Sequence, residues 1–308
     1  MSADHDEHPV ATINRREFFE LGAAVGASLL AGAPPAAAQP TQSPPEPPGP
    51  LPGSEDTLLR MQADIRRALG KPLEQRGWIM VVDGRKCVGC QACVAACVAE
   101  NVLPPGVTYR TVPEIEFGSY PEVKKYNMPT QCMQCDKPPC LPAANAIAPG
   151  SFSKRPDGIV AIDYTKFRGR AAFEAAKKAC PYRALYYDDG KFYTQDTPAL
   201  QPYESAVSHD FDRRWAREPG KAGEPPAGSG RKCHFCLHRL NVGLVPACVN
   251  TCIGRALYFG DKNDAQSLVS ELLESNKDKV LRIRANRGTE PRVHYLIDNP
   301  QFYAAFHQ

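Results

Sequence analysis

The sequence predicts a loop-rich α+β fold of two domains with appended segments, on three observations. The chain has 308 residues, and at about 100 to 200 residues per domain this length allows two domains and extensions. Thirty prolines, about twice the usual share, favour loops and an extended linker over a helical bundle. Twelve cysteines, gathered in four groups, require a chemical explanation.

Composition excludes several classes of protein. Hydrophobic residues make up 43% of the chain and charged residues 23%, both near the averages of globular proteins. These values exclude a wholly disordered chain and a membrane protein with many spans. The formal net charge of +3 is too small to indicate nucleic-acid binding.

Residues 1–38 carry an arginine pair followed by an uncharged stretch. Residues 14–19 read NRREFF, and the Ala-, Gly- and Leu-rich segment that begins at Leu21 ends in three alanines. This order is typical of a twin-arginine signal peptide, which directs folded proteins to the periplasmic face of the cytoplasmic membrane. The alternatives are an amphipathic helix with a chance arginine pair and an uncleaved membrane anchor.

A linker and a helix are expected over residues 39–75. Residues 39–53 contain seven prolines, which favour an extended polyproline tether. Ser54 is the expected N-cap of the helix and Gly70 its end. Apolar residues recur on one face between them, namely Leu58, Met61, Ile65 and Leu69.

Several further elements follow from local patterns. Residues 78–83 and 158–163 are apolar and rich in β-branched side chains, and each run predicts a strand. Residues 196–228 are polar and rich in Pro and Gly, so we expect a surface insertion. In the C-terminal extension, 264–308, a capping helix and a further segment are predicted from Leu268, Leu272, Leu273, Val280, Leu281 and Ile283. Phe302, Tyr303 and Phe306 are predicted core anchors.

The first cysteine group, Cys87, Cys90, Cys93 and Cys97, has the spacing C-x2-C-x2-C-x3-C. In 4Fe-4S ferredoxins three thiolates of this run bind one cluster, and the fourth, on the following helix, binds the neighbouring cluster. A zinc site needs two CxxC pairs and has no use for the third cysteine. Disulfides are a further alternative, although the loops are tight for them.

The other cysteines form three groups. They are Cys132, Cys135 and Cys140; Cys180 alone; and Cys233, Cys236, Cys248 and Cys252. No CxxC pair is followed by histidine, so covalently attached haem is not expected. His234 and His238, beside the last group, are predicted to support the structure rather than to bind metal.

Longer motifs around these cysteines resemble a known family. The motifs are VGCQAC at 88–93, CDKPPC at 135–140, DGIVAID at 157–163, ACPY at 179–182, KCHFCLHR at 232–239 and PAC at 246–248. Over residues 76–298 the chain resembles the ferredoxin-like iron-sulfur subunits of molybdopterin oxidoreductases of the dimethyl sulfoxide reductase superfamily. The tail at 288–296 looks most like the iron-sulfur subunit of tetrathionate or polysulfide reductase.

The resemblance implies two ferredoxin-like domains with loop insertions. Residues 76–128 with 229–263 form the first and residues 129–195 the second. Each cluster takes three thiolates from one cysteine group and the fourth from a partner group, which leaves three complete ligand sets in this chain. Set 1 is Cys87, Cys90, Cys93 and Cys252; set 2 is Cys97, Cys233, Cys236 and Cys248; set 3 is Cys132, Cys135, Cys140 and Cys180.

The family's fourth ligand set is missing from this chain. Its positions hold Ala144, Phe167, Arg170 and Phe173, which we call the lost site, and three residues are inserted before Cys180. Residues 170–179 are rich in Ala, Glu and Lys, so a helix is predicted where a cluster loop would be. The two phenylalanines are expected to fill the space and Arg170 to replace part of the lost structure; ordinary surface packing is the alternative.

The resemblance implies an electron-transfer subunit with three 4Fe-4S clusters. It relays electrons between a molybdopterin catalytic subunit and either a membrane quinone-interacting subunit or a cytochrome, without a transmembrane span of its own. No activated nucleophile, carboxylate pair or phosphate loop is evident, so no catalytic residue is expected. Lys86, Lys232 and Arg239 are expected either to tune the clusters or to be solvated or structural. The rival interpretation is a structural or assembly subunit that has partly lost its clusters.

Overall fold

The computed structural model describes residues 56–191 and 226–298, together with the backbone of residues 215–218 and 221–223. The predicted signal peptide, the Pro-rich linker over 39–53, Ser54 and the three predicted C-terminal anchors lie outside the described residues. No helix among the described residues is long and apolar enough to cross a bilayer.

The described chain alternates short helices and short strands. Its helices are α1 (Thr57–Leu69), α2 (Ala92–Asn101), α3 (Cys140–Ile147), α4 (Arg170–Ala179), α5 (Leu237–Leu240), α6 (Ala247–Asn250) and α7 (Leu268–Ser275). Its strands are β1 (Trp78–Asp83), β2 (Arg110–Thr111), β3 (Glu114–Phe117), β4 (Lys124–Asn127), β5 (Thr130–Gln131), β6 (Phe152–Lys154), β7 (Val160–Ile162), β8 (Tyr186–Asp188), β9 (Trp215–Glu218), β10 (Lys221–Gly223), β11 (Ser229–Arg231), β12 (Leu257–Asp261), β13 (Val280–Leu281) and β14 (Val293–Leu296). The mixture of helices and strands agrees with the predicted α+β class.

The largest sheet of the described chain has the strand order β12-β1-β14-β13. β1 pairs antiparallel with β12 and parallel with β14, with Met80 opposite Val293 in the parallel ladder. Every residue of β1 and of β12 is buried, as expected for strands covered on both faces. The strand predicted over 78–83 is confirmed, and it leads directly to the first cysteine loop.

Helix α1 packs on β12 beside α7. Met61 and Ile65, two of the predicted apolar positions, are buried, and Leu58 and Leu69 pack against the same core from its edge. The helix is confirmed, but the predicted N-cap is wrong: α1 begins after Asp56, whose carboxylate accepts a hydrogen bond from the Leu58 N–H at 2.8 Å. The Asp56 carboxylate thus satisfies one of the free backbone N–H groups of the first turn, which is the role of an N-cap.

The remaining strands form two-stranded ladders: β2 with β5, β3 with β4, β6 with β7, β8 with β11, and β9 with β10. The strand predicted over 158–163 is confirmed only at its centre, β7, because Gly158 has a φ of +93° and belongs to the preceding turn. The predicted helix over 170–179 is confirmed as α4, and the predicted C-terminal helix as α7 followed by β13. Hairpin β9–β10 lies within the predicted insertion.

Candidate iron-sulfur sites

Set 1 combines the loop after β1 and the start of α2 with Cys252, which follows α6. Its four cysteines line one small cavity. The loop requires glycine at position 89, because φ is +70° and a Cβ atom there would lie 2.7 Å from Asn127 Oδ1. The structure thus brings together four thiols from distant parts of the chain.

Set 2 joins α2 to the segment around α5 and α6. Its four cysteines line a second small cavity, together with Asn101, Tyr109, Arg110 and His234. Asn101 Nδ2 lies 3.6 Å from Cys97 Sγ and 3.8 Å from Cys236 Sγ, although 135 residues separate Asn101 from Cys236. One helix, α2, therefore carries Cys93 toward set 1 and Cys97 toward set 2.

Set 3 comes together between α3 and the end of α4. Cys140 begins α3, and Cys180 is the residue at which α4 ends. Burial raises the pKa of Cys140 to about 12, and the nearby charges of Cys132, Cys180 and Cys135 contribute to the increase. All four thiols of set 3 are therefore neighbours, although Cys180 stands alone in its stretch of sequence.

Burial is the first cause of the raised thiol pKa values in all three sets. It raises the pKa of Cys97 well above the ordinary value, and the charges of Cys233, Cys248 and Cys236 raise it further. It also raises the pKa of Cys135 to about 12. Such thiols keep their protons near neutral pH unless a metal cation replaces them, because a coordinating thiol is deprotonated by the metal charge.

Backbone N–H groups point at several of the sulfur atoms. The N–H of Ala256 donates to Cys252 Sγ with an N···S distance of 3.2 Å, and the N–H of Phe235 donates to Cys233 Sγ at 3.4 Å. Around Cys180, burial raises the thiol pKa, while hydrogen bonds from the backbone of residues 184, 182 and 183 oppose the increase. N–H donors to sulfur are a means by which proteins stabilise iron-sulfur clusters.

The arrangement of the thiols fits a cubane cluster. All twelve cysteines are free, so the disulfides considered from the sequence are not formed. Within the described residues no three His, Cys, Asp or Glu side chains converge closely enough to hold a single metal ion. A 4Fe-4S cluster needs no such convergence, because each of its four thiolates binds a different iron atom at a different corner.

The three sets lie one after another. Cys93 of set 1 is close enough to Cys248 of set 2 for the charge of one to affect the other, and Cys233 of set 2 is similarly close to Cys132 of set 3. The buried side chain of Gln134 connects the last two sets, since its Nε2 donates to the Cys233 carbonyl at 2.6 Å. Set 2 is therefore the middle member of the series.

Comparison with known proteins gives the family of the chain. The 4Fe-4S dicluster domain family matches residues 123–196 and 222–262. A selenate reductase subunit of Mesobacillus selenatarsenatis is 49% identical over 243 residues, which cover 79% of this chain and 80% of that protein. A tetrathionate reductase subunit of Salmonella typhimurium is 32% identical over 222 residues, with 71% and 72% covered. The arsenate respiratory reductase iron-sulfur subunit of a Shewanella species is 31% identical over 229 residues, with 70% and 94% covered.

The chain belongs to this family of 4Fe-4S reductase subunits. The predicted family is thereby confirmed, although the selenate reductase protein has a higher identity than the tetrathionate reductase protein that the tail indicated. These relatives are the iron-sulfur subunits of oxidoreductase complexes. The chain is accordingly an electron-transfer subunit rather than a catalytic one.

At the lost site the structure of this 4Fe-4S subunit brings three of the four residues into one buried cluster. Ala144, Phe167 and Phe173 are at most 2% exposed and pack in the core between α3 and α4. Gly230 lies against both rings: a Cβ atom there would be 2.7 Å from Phe167 Cε1 and from Phe173 Cδ2. The phenylalanines therefore do not pack on the surface.

Arg170, the fourth residue of the lost site, lies apart from that buried cluster. It is exposed at the start of α4, with its guanidinium carbon 4.3 Å from the centre of the Tyr187 ring. Tyr187 in turn contacts Phe173, with ring centroids 5.3 Å apart. Arg170 thus covers the outside of the packed aromatic residues, as a cation stacked on an aromatic ring commonly does.

The basic residues that the sequence placed near the clusters have different surroundings. Lys86 Nζ donates to the Tyr258 hydroxyl at 2.7 Å, and Arg239 Nη1 forms an ion pair with Glu100 at 3.0 Å. Lys232 is 1% exposed, and its Nζ donates to the carbonyls of Val160 and Cys233. Lys232 is therefore a buried cation between sets 2 and 3, whereas Lys86 and Arg239 have partners at the periphery.

Both histidines of the fourth cysteine group are tied to the end of α2. His234 Nε2 lies 3.0 Å from Asn101 Oδ1, and its Nδ1 accepts from the Leu237 N–H at 2.9 Å. His238 Nε2 lies 2.7 Å from Glu100 Oε1. No sequence pattern marked Asn101, Glu100 or Arg110 as part of a site. Glu100 and Asn101 had one signal, since they follow Cys97 by three and four residues.

Proposed function

We propose that this electron-transfer subunit carries three 4Fe-4S clusters, one at each set, and passes single electrons along them. The observation that carries the proposal is the division of the twelve cysteines into three neighbouring groups of four. Each group combines three thiols from one stretch of sequence with one from another. When bound, the clusters supply the electron-carrying chemistry; the chain holds, spaces and shields them.

Set 1 is the end of the series of three sets that we propose contacts the catalytic partner. Cys90 is the exposed member of the twelve cysteines. Beside it Val88 is 66% exposed, and Ile253, next to Cys252, is 72% exposed. Exposed apolar side chains around a redox centre favour docking of another protein. By similarity to the selenate, tetrathionate and arsenate reductase subunits, the partner is a molybdopterin-type reductase that acts on an oxyanion.

Set 3 is the proposed opposite end of the series, where the second redox partner docks. Beyond it lie the packed phenylalanines of the lost site, where the family resemblance implies a fourth cluster facing a membrane subunit. Electrons therefore enter or leave through a partner that docks close to set 3, either a membrane quinone-interacting subunit or a cytochrome. A structure of the complex tests this. A conventional quinol-oxidising subunit docked at the lost site, with no haem or cluster between, would contradict it.

We also propose export of the folded subunit to the periplasm through the twin-arginine route. The support is the NRREFF run at 14–19 and the uncharged stretch after it. The test is replacement of both Arg15 and Arg16 by Lys, followed by cell fractionation. The expected result is retention in the cytoplasm with iron still bound; an unchanged periplasmic fraction would contradict the route.

Iron and sulfide analysis tests the cluster count. Three cubanes require about 12 Fe and 12 sulfide per chain in brown, anaerobically purified protein. About 16 Fe would show that a fourth site persists with other ligands. Fewer than about 4 Fe would favour the structural or assembly subunit, and a colourless protein loaded with zinc or cross-linked by disulfides would refute the electron-transfer proposal.

A further inference from the structure

Arg110 is a buried guanidinium beside the cysteines of sets 1 and 2. It lies in the short strand β2, opposite Gln131 in β5, and is 2% exposed. Its side chain lines the set 2 cavity together with all four cysteines of that set. No sequence pattern marked this residue, because a single arginine in a two-residue strand has no periodicity to reveal its burial.

Arg110 lacks the partners that a buried guanidinium normally has. Its Nη2 donates to the thioether sulfur of Met80 at 3.0 Å, a weak acceptor. Its Nη1 is buried and has no hydrogen-bond partner. In the part of the chain that the structure describes, no carboxylate forms an ion pair with it. A buried charge without a counter-charge is strongly unfavourable, so a compensating negative charge is required.

Arg231 gives a comparison within the same molecule. It is equally buried, but its Nη1 forms an ion pair with Asp188 at 2.7 Å and its Nη2 donates to the Asn101 carbonyl at 2.8 Å. Among the described residues, a carboxylate therefore pairs with buried Arg231, whereas none pairs with buried Arg110. The difference indicates that the negative charge for Arg110 comes from the cysteine sites.

The charges that act on Arg110 show which of the cysteine sets supply this negative charge. Burial opposes the charged form of Arg110, but nearby cysteines in their ionised form, the form that binds a cluster, outweigh burial and raise its pKa above the ordinary value. Those thiolates are Cys248, Cys93, Cys233 and Cys97. Cys93 belongs to set 1 and the other three to set 2. For Cys140 of set 3 the cation that lowers the thiol pKa, against the larger effect of burial, is Lys232.

We propose that Arg110 is the shared counter-cation of the clusters at sets 1 and 2 and raises their reduction potentials, without acting on the cluster at set 3. This inference rests on the proposed three-cluster function. Reduction adds one negative charge to a cluster, and a nearby cation in a medium of low dielectric constant favours that charge. Arg110 therefore makes the first two clusters better electron acceptors than they would be without it.

The test uses three variants of the full chain, purified anaerobically with its clusters. Arg110→Met removes the charge and keeps much of the side-chain volume. Arg110→Lys keeps the charge. Gln131→Glu leaves Arg110 in place and supplies a carboxylate close to it, because the side chains of Gln131 and Arg110 both donate to Met80 Sδ. Redox titration followed by low-temperature electron paramagnetic resonance gives the midpoint potential of each cluster.

The expected result is a lower midpoint for two clusters and an unchanged midpoint for the third. In Arg110→Met and Gln131→Glu the ratio of reduced to oxidised cluster at a fixed potential should fall at least tenfold at sets 1 and 2, a shift of about 59 mV for one electron. Arg110→Lys should remain close to the parent protein. A set 3 ligand variant, Cys180→Ser, identifies the signal of the third cluster.

Different results would refute the role of Arg110 and the proposed three-cluster function. Unchanged midpoints in Gln131→Glu and Arg110→Met, with about 12 Fe per chain, would refute the role of Arg110 and leave the three-cluster function intact. Equal shifts at all three clusters would also refute it. If Arg110→Met fails to fold, Gln131→Glu and Arg110→Lys still test the proposed role of Arg110. A parent protein without clusters would refute the proposed function itself.

Discussion

Phe152 and Phe167 meet edge to face, with ring centroids 4.8 Å apart and an interplanar angle of 79°. Phe167 is one of the residues at the lost site, and Phe152 is the first residue of β6. Their contact therefore packs the lost site against that strand. Edge-to-face rings are a favourable aromatic geometry. A well-packed apolar core therefore occupies the lost site, where the family resemblance implies a fourth cluster.

We expect Phe167→Ala to lower the free energy of unfolding by about 3 to 5 kcal/mol, because it removes a buried ring and leaves a cavity. Iron content should stay at the parent value, since the ring is not a ligand. Anaerobic urea unfolding and iron analysis measure the two effects. Val123→Ala is the control, since Val123 is 50% exposed and its truncation should cost less than about 0.5 kcal/mol. An equally small effect for Phe167→Ala would show that the ring does not fill the site.

Cys180→Ser should damage only the cluster at set 3. Serine is a poor substitute for a thiolate, so we expect that cluster to open to a 3Fe-4S form or to be lost, and iron to fall below about 12 per chain. Low-temperature paramagnetic resonance should leave the other two signals intact. Cys90→Ser is the matched control and should affect set 1 instead. Full iron and unchanged spectra for Cys180→Ser would refute its assignment as a ligand.

Cys97→Ser tests the crosswise assignment of α2. Cys97 is four residues from Cys93, but its thiol lies with Cys233, Cys236 and Cys248. We therefore expect the variant to damage the cluster at set 2 and to spare the cluster of its sequence neighbours. Paramagnetic resonance of Cys97→Ser beside Cys87→Ser distinguishes the two clusters. The assignment fails if both variants lose the same signal.

His294 should make stability depend on pH. Burial lowers its pKa to about 4 from the ordinary 6.5, with help from Arg282, Lys262 and Arg292. Between these values the unfolded chain binds a proton that the folded chain does not, so stability rises with pH and is lost as pH falls through this window. The contribution is about 1 to 2 kcal/mol between pH 5 and pH 7.

His294→Gln removes this contribution, and its stability should vary less with pH than that of the parent protein. Urea unfolding at several pH values between 5 and 7 gives the comparison. Parallel curves for the two proteins over that range would show that folding does not lower the pKa of His294, contrary to the expectation.

Local patterns in the sequence predicted the elements that local forces determine. The apolar face of α1, the buried run of β1 and the alanine-rich α4 were all recognisable in stretches of six to thirteen residues. The order of the main sheet was not, because β1 and β14 pair across most of the chain: Trp78 and Arg292, which lie near each other there, are 214 residues apart. No local propensity encodes such a pairing.

In the candidate sites too, some residues could be predicted from the sequence and others could not. Cysteine spacing and family resemblance were enough to propose all three sets, because cluster ligation fixes the spacing of three cysteines in each loop. The burial of Arg110 and Lys232 could not be predicted, since isolated basic residues are usually exposed. Only the packing of distant segments shows that each of these cations lies beside the cysteines.

The interleaving of the three sets has a consequence for synthesis of the protein. In the proposed ligand assignment, set 3 needs no residue beyond Cys180 and is complete as soon as that residue has been made. Sets 1 and 2 each wait for the segment around α6, even though Cys87 was the first cysteine to leave the ribosome. In this assignment a nascent chain carries Cys87, Cys90, Cys93 and Cys97 without their partner cysteines for about half of its translation. Assembly of sets 1 and 2 therefore follows synthesis of most of the chain, whereas set 3 can assemble earlier.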